Sequence, residues 1–183
     1  SDNTDPVDRV RIQWGASHLL PASVVAAHVT HWGLRPVPFG CAVAMSGRFG
    51  FDLDLVALGD EDRAVCAASA ATYRRIRDVV QQGDLHRLVS PVGSDRGAWA
   101  YRSADGDRAV VFAYRLPPDG PTGPATHHRV ALPWLADEDP TAFDVEDLTP
   151  GRPASPPVAL TETALDWPDA APPSASVWLL TRR

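Results

Sequence analysis

Lysine is absent from this 183-residue chain, in which all 17 basic residues are arginine. Acidic residues number 23, and the formal net charge of -6 leaves no positive field that would favour a nucleic-acid partner. Long apolar runs are absent too, which excludes a membrane-spanning helix. Cysteine is limited to Cys41 and Cys66, which we expect to be buried thiols.

A signal peptide is another absent feature, because no charged segment followed by an apolar stretch stands at the chain start. We therefore expect a cytoplasmic protein, although a start inside a longer polypeptide would leave secretion open. The composition, 44% hydrophobic and 22% charged, is that of an ordinary globular protein. A chain of this length holds one domain or two small ones.

Helices and strands are predicted to alternate at the beginning of the chain. Asp5-Pro6 starts a helix, with Asp5 as the N-cap and Pro6 at the first helical position. Two buried strands are predicted at residues 24–32 and 48–53, with a short helix over residues 39–45 between them. This alternation predicts parallel βα units, although two strands are too few to close a sheet.

A long helix is predicted next, with Asp60 as its N-cap and Gly83 as its stop. Its inward-facing residues are predicted to be Val65, Ala68, Thr72, Ile76 and Val79.

The remainder of the chain has the pattern of an antiparallel β module. Residues 97–103 and 107–115 flank Asp105-Gly106, a hairpin signal. Further strands are predicted, separated by proline- and glycine-rich stretches, at residues 127–133, 143–148, 158–161 and 174–181. The predicted class is α/β followed by all-β, with residues 88–183 forming a small antiparallel sandwich.

Asp2 is the first candidate for chemistry. It precedes the predicted helix start, where a β/α barrel keeps its catalytic groups. Taken alone, the segment from Ser1 to Asp5 is explained as simply by a loop and an N-cap.

The residues that follow favour a site. Ser1-Asp2-Asn3-Thr4-Asp5, with Arg9 and Ile12-Gln13-Trp14-Gly15, resembles the sixth-strand segment of glycoside hydrolase family 36, the α-galactosidases. Residues 27–30 and 43–55 resemble the family's strands seven and eight, and residues 73–91 resemble its last barrel helix and the entry into its C-terminal domain. These matches keep the family's order over about residues 1–115.

This resemblance implies a fold and a reaction. The fold would be strands 6–8 of a (β/α)8 TIM barrel over residues 1–87, followed by a β-sandwich over residues 88–183. The reaction would be retaining hydrolysis of terminal α-galactosyl residues from oligosaccharides such as melibiose and raffinose, with no metal or organic cofactor. Family members use a nucleophile and an acid/base, carboxylates about 5–5.5 Å apart. The resemblance leaves open whether the full-length enzyme is a homo-oligomer.

Asp2 takes the acid/base position in this resemblance. The family's nucleophile lies in a Lys-Trp-Asp type segment on strand four, and this sequence contains no such segment. We therefore expect the chain to be the later portion of a longer enzyme and to be inactive alone.

Three further residues are candidates for supporting roles: Asp5, Arg9 and His28. Arg9 follows Asp5 by four residues on the predicted helix, so it either pairs with Asp5 or is an exposed helix charge. His28 and His31 are three residues apart on a predicted strand and face opposite sides, so they cannot easily share a metal. We therefore expect His28 to be a hydrogen-bonded barrel residue. The stretch from residue 31 to 40 is shorter than in many family members, which leaves the substrate length open.

The sequence is also compatible with two other functions. A relative of the raffinose-synthase type would transfer galactose to a sugar acceptor, with Asp2 deprotonating an acceptor hydroxyl. A non-catalytic chain would bind carbohydrate or a partner through the β module, with tryptophans such as Trp134 and Trp178 as a platform. Core packing explains these tryptophans more simply.

Overall fold

The computed structural model describes residues 4–118, 129–153, 158, 160, 162–167 and 170–183. Its first part runs through helix α1 (Pro6–Ala16), strand β1 (Ala26–Thr30), helix α2 (Val37–Ala44), strand β2 (Arg48–Asp52) and helix α3 (Asp60–Gln82). β1 and β2 pair in parallel, from Ala26 opposite Arg48 to Thr30 opposite Asp52. The predicted order of helices and strands over this part is confirmed.

Helix α1 begins where the sequence predicts. The Asp5 side chain accepts a hydrogen bond from the Val7 N–H at 2.9 Å, and Pro6 occupies the first turn, where its missing donor costs nothing. Val7 and Val10, one helical turn apart, are both buried. The sequence pattern gave no sign that Gln13 is buried too, where its amide donates to the Val43 carbonyl and the Ser46 hydroxyl.

The inward face of α3 differs from the prediction by about one residue in its first half. Ala68 is exposed and Thr72 only half-buried. The buried residues are Cys66, Ser69, Tyr73, Ile76, Val79 and Val80. Alanines on several sides of this helix cannot fix its orientation, whereas the Tyr73 hydroxyl does so by donating to the Gly47 carbonyl at 2.6 Å. The N-cap is also Gly59, not Asp60, which is the first helical residue.

The second part is built on an antiparallel sheet whose strands are β3 (Asp84–Val89), β4 (Arg96–Arg102), β5 (Arg108–Arg115), β7 (Phe143–Asp147) and β9 (Ser174–Arg182). These strands lie side by side in the order β3-β4-β5-β9-β7. A separate two-stranded ladder joins β6 (Arg129–Ala131) to β8 (Ala164–Asp166). The predicted hairpin is confirmed, with Gly106 at a φ of 77° in its turn.

The sequence pattern did not predict strands β3 and β8, because neither shows a clear alternation of apolar and polar residues. Of the predicted strand at 158–161, only residues 158 and 160 are described, and neither lies in a strand. Residues 127 and 128, the start of another predicted strand, lie outside the described residues.

Both faces of the five-stranded sheet are buried. Val110, Phe112 and Tyr114 of β5 pack against the helices, in one core with residues of α1, α2 and α3. Val111 and Ala113 point the other way, into a second core shared with β6 and β8. The boundary predicted between residues 87 and 88 lies inside β3, and it stays a prediction.

A third cluster joins Ala27 and Val29 of β1 to buried residues of α2 and α3. Cys41 and Cys66 belong to this cluster as free, buried thiols, and burial raises the pKa of Cys41 to about 12. Within the part of the chain that the structure describes, no helix is both long and apolar enough to cross a bilayer.

Candidate active site at the carboxyl ends of the parallel strands

The candidate site lies at the edge where β1 and β2 both end. Because the strands are parallel, Thr30 and Asp52 stand side by side at their carboxyl ends, which is where α/β folds place ligands and catalytic groups. The N-terminal segment reaches the same edge, since the Thr30 hydroxyl donates to the Thr4 carbonyl at 2.9 Å.

Asp5 joins this segment to the loop after β1. Its carboxylate caps α1 and also accepts three hydrogen bonds from Arg35: Nε donates to Oδ1 at 3.1 Å and to Oδ2 at 3.3 Å, and an Nη donates to Oδ2 at 3.0 Å. Burial raises the pKa of this carboxyl group, but the bonds from Arg35 and Val7 and the charge of Arg35 outweigh it and leave the pKa below its ordinary value. Asp5 is therefore an ionised anchor near neutral pH.

Gly33 lies directly against that carboxylate. Its φ of 72° is a left-handed conformation, and a Cβ built there would be 2.1 Å from Asp5 Oδ2. The next residue, Leu34, also has a positive φ, of 48°. The loop after β1 thus packs its backbone on Asp5 and continues into Arg35.

Arg9 has a different position from Asp5 and Arg35. Its guanidinium donates to the carbonyl of Ala26 at 2.9 Å, at the start of β1 and so at the end remote from the candidate site. The predicted alternative in which Arg9 pairs with Asp5 is wrong, because Arg35 provides the ion pair to Asp5 instead. Burial lowers the pKa of Arg9.

His28 lies on the face of β1 opposite to the buried Ala27 and Val29, and it is exposed. Its ring covers Gly50 of β2, where a Cβ would be 2.7 Å from the imidazole Cδ2. The hydrogen bond expected for His28 is not present among the described residues. Because Gly50 has no side chain, the imidazole ring of His28 can lie directly over it.

Asp2, the predicted acid/base, lies outside the described residues. Thr4 and Asp5 are the nearest described positions on its carboxyl side. At the end of β2, Asp54 accepts bonds from the N–H groups of Val56 and Ala57, so it caps a turn. No group of three or more histidine, cysteine, aspartate or glutamate side chains gathers within the described ranges in a way that could hold a metal.

Sequence reasoning missed Thr30, Gly33 and Arg35. The glycine and proline of Gly33-Leu34-Arg35-Pro36, directly after a predicted strand, indicate a turn. The sequence does not show which of its 17 arginines pairs with Asp5.

A parallel strand pair with its helices, joined to an antiparallel sheet, defines the class: a mixed fold of an α/β part and a β part. The family model described as Melibiase matches residues 1–83. Alpha-galactosidase AgaA of Geobacillus stearothermophilus is 38% identical over 122 residues, which are 63% of this chain and 17% of that protein. Alpha-galactosidase C of Emericella nidulans is 38% identical over 142 residues, 74% of this chain and 18% of that protein.

Solved structures agree with the sequence matches. The crystal structure of the family 36 α-galactosidase AgaA from Geobacillus stearothermophilus has a TM-score of 0.77 and 29% identity, covering all of this chain and 25% of that one. A doubly substituted form of AgaA in complex with raffinose gives 0.77 at 28% identity. By sequence and fold the chain thus matches part of the family 36 α-galactosidases, as the resemblance predicted, and it spans about a sixth of the length of these curated relatives.

Proposed function

We propose that these residues are part of an α-galactosidase that hydrolyses terminal α-galactosyl groups with retention of configuration. The observation that carries this proposal is the anchoring of the segment after Asp2 at the carboxyl edge of two parallel strands, in a chain that matches family 36 structures over its whole length. The relatives are several times longer, so we propose that the residues belong to a longer protein, here called the parent enzyme.

In finer detail, we propose that the parallel part is strands 6–8 of a (β/α)8 barrel over residues 1–87, and that residues 88–183 form a β-sandwich domain. The parallel pairing of β1 and β2 and the position of α1 before β1 support the barrel. The β6–β8 ladder, which packs on the second face of the five-stranded sheet, supports the sandwich.

In the proposed mechanism Asp2 acts twice. As a general acid it protonates the glycosidic oxygen while a second carboxylate attacks the anomeric carbon, and the leaving sugar departs. As a general base it then removes a proton from water, whose oxygen displaces the enzyme carboxylate. This sequence holds no Lys-Trp-Asp segment, so the parent enzyme supplies the nucleophile from another segment.

His28 has a proposed place in this site. It stands on the uncovered face of β1, which is the interior face if β1 belongs to a barrel. There its imidazole would contact sugar hydroxyls or neighbouring barrel strands. Arg9 is proposed to stabilise α1 against β1 from the other end of the strand.

The proposed substrates are α-1,6-galactosides. Forms of AgaA were crystallised with raffinose and with stachyose, and this chain matches them at TM-scores of 0.77 and 0.76. A tryptophan platform for sugars has no support in the β module, since Trp178 is buried in its core and Trp134 packs half-buried against that core.

The test is product analysis of the parent enzyme with raffinose. We expect free galactose and sucrose as the main products. Galactosyl oligosaccharides exceeding free galactose would favour transfer instead, and no turnover of either kind would favour a non-catalytic role. The 183-residue chain alone is the matched control, and we expect it to be inactive. If the chain alone turned over raffinose and Asp2→Asn abolished that turnover, the proposal that the nucleophile comes from another segment would be overturned.

A further inference from the structure

Two separate contacts hold the segment that follows Asp2. The buried hydroxyl of Thr30 fixes the carbonyl of Thr4, and the guanidinium of Arg35 binds both carboxylate oxygens of Asp5. Thr30 ends β1 and Arg35 lies in the loop after it, so both contacts tie the segment to the same strand.

Helix capping does not account for this arrangement. A cap needs one side-chain oxygen that accepts from a backbone N–H, and Asp5 Oδ1 already accepts from Val7 at 2.9 Å. Asparagine or serine would do the same. The second oxygen, its bond to Arg35 and the glycine that makes room for it at position 33 serve something besides the cap.

The arrangement lies within reach of the proposed acid/base. Two peptide units separate Asp2 from Thr4, so their Cα atoms are at most about 7.6 Å apart. A shift of Thr4 therefore moves the covalent attachment of the segment that carries Asp2. Displacing a catalytic group by about 1 Å can lower the rate about 100-fold.

We propose that Arg35 is a positioning residue, which through Asp5 and over Gly33 holds the acid/base segment in the geometry needed for proton transfer to the leaving group. This inference rests on the proposed function, because it takes Asp2 as the acid/base. Arg35 touches no reacting atom, and it acts by fixing the backbone on the carboxyl side of Asp2.

The experiment compares two substrates of the parent enzyme. Raffinose has a leaving group that needs protonation, whereas 2,4-dinitrophenyl α-galactoside has one that leaves unprotonated. Since kcat/KM reports the steps up to glycosyl transfer to the enzyme, loss of acid catalysis lowers it for raffinose only. A merely structural defect would lower kcat/KM for both substrates alike.

We expect Arg35→Met to lower kcat/KM for raffinose about 10- to 100-fold and to change it less than about threefold for the aryl galactoside. Asp5→Asn, which keeps the cap acceptor, is expected to give the same pattern, and the double variant should lose little more than either single one. Arg35→Lys, which keeps the charge but not the two-pronged geometry, should be intermediate. Arg183→Met, which removes the exposed ion pair to Asp144, is the matched control and should change neither value.

The outcomes separate the inference from the proposed function. If Asp2→Asn shows the substrate-dependent loss while Arg35→Met and Asp5→Asn affect both substrates equally or neither, the positioning role is overturned and the acid/base proposal stands. If Asp2→Asn leaves raffinose hydrolysis unchanged, the acid/base proposal fails and the inference fails with it. Where Arg35→Met does not fold, as judged by its melting temperature, Asp5→Asn and Arg35→Lys decide.

Discussion

The carboxylate of Asp5 both caps a helix and forms an ion pair. It caps α1 through the Val7 N–H, and it pairs with Arg35 of the loop after β1. The side chain of Asp5 is 18% exposed and that of Arg35 is 32% exposed, so solvent screens the pair only in part. A contact of this kind stabilises more than a fully exposed ion pair does.

Asp5→Asn tests the charge separately from the cap, since asparagine caps a helix about as well. The pKa of Asp5 is lowered in the folded state, so its ionised form stabilises the fold above the unfolded value of about 4. That stabilisation is lost as the pH falls through the folded pKa. Urea unfolding of the chain should therefore show Asp5→Asn to be about 0.5–1 kcal/mol less stable at pH 7.

The difference between wild type and Asp5→Asn should shrink toward zero below about pH 4. Asp60→Asn is the control, because Asp60 is fully exposed and its ion pair to Arg63 spans 3.6 Å. A difference that stays constant from pH 7 to pH 3 would show that the charge of Asp5 does not matter.

Gly33 and Gly93 form a matched pair for a second test. Both have a left-handed φ, of 72° and 69°, but a Cβ at Gly33 would meet Asp5 Oδ2 at 2.1 Å whereas nothing lies within 4 Å at Gly93. Gly93→Ala should cost only the backbone strain of about 1–2 kcal/mol. Gly33→Ala should cost clearly more in the same urea titration, because the ion pair must shift as well. Equal losses would mean that the loop yields without disturbing Asp5.

At the scale of elements, the sequence predicts best where residues with a specific backbone role mark the start of a helix or the turn of a hairpin. Asp5-Pro6 and Asp105-Gly106 each combine residues with a specific backbone role, and the helix start and the hairpin both lie where they are predicted. Helix α3 is different, because its many alanines are compatible with several inward faces. Its orientation depends on Tyr73 and its bond to Gly47, a contact between distant parts of the chain.

Neighbouring substitutions on α3 test the observed face. Ala68, which the sequence pattern placed inward, is exposed, and Ser69 is 2% exposed. Ala68→Arg should change the free energy of unfolding by less than about 0.5 kcal/mol, whereas Ser69→Arg should cost more than about 3 kcal/mol by burying an unpaired charge. Thermal unfolding of both variants measures this, and a larger loss for Ala68→Arg would restore the predicted face.

For the whole molecule, the organising feature is the five-stranded sheet with both faces covered, by the helices on one side and by the β6–β8 ladder on the other. The alternation of side chains along a strand places Val110, Phe112 and Tyr114 of β5 on one face, and the structure packs all three against the helices. No local pattern could show that this face packs on the helices of the first part. Likewise, the Arg35–Asp5 pair joins residues 30 positions apart, and sequence spacing cannot predict it.

We propose that Asp2 is the acid/base of a retaining α-galactosidase. The most direct test of this role is the configuration of the product that the Asp2→Gly parent enzyme forms from 2,4-dinitrophenyl α-galactoside in the presence of azide. If Asp2 is the acid/base, the nucleophile still forms the β-linked galactosyl–enzyme, and azide displaces the enzyme carboxylate from it. We expect faster turnover with azide and α-galactosyl azide as the product. The β-galactosyl azide would make Asp2 the nucleophile, and undiminished hydrolysis without azide would remove it from the mechanism.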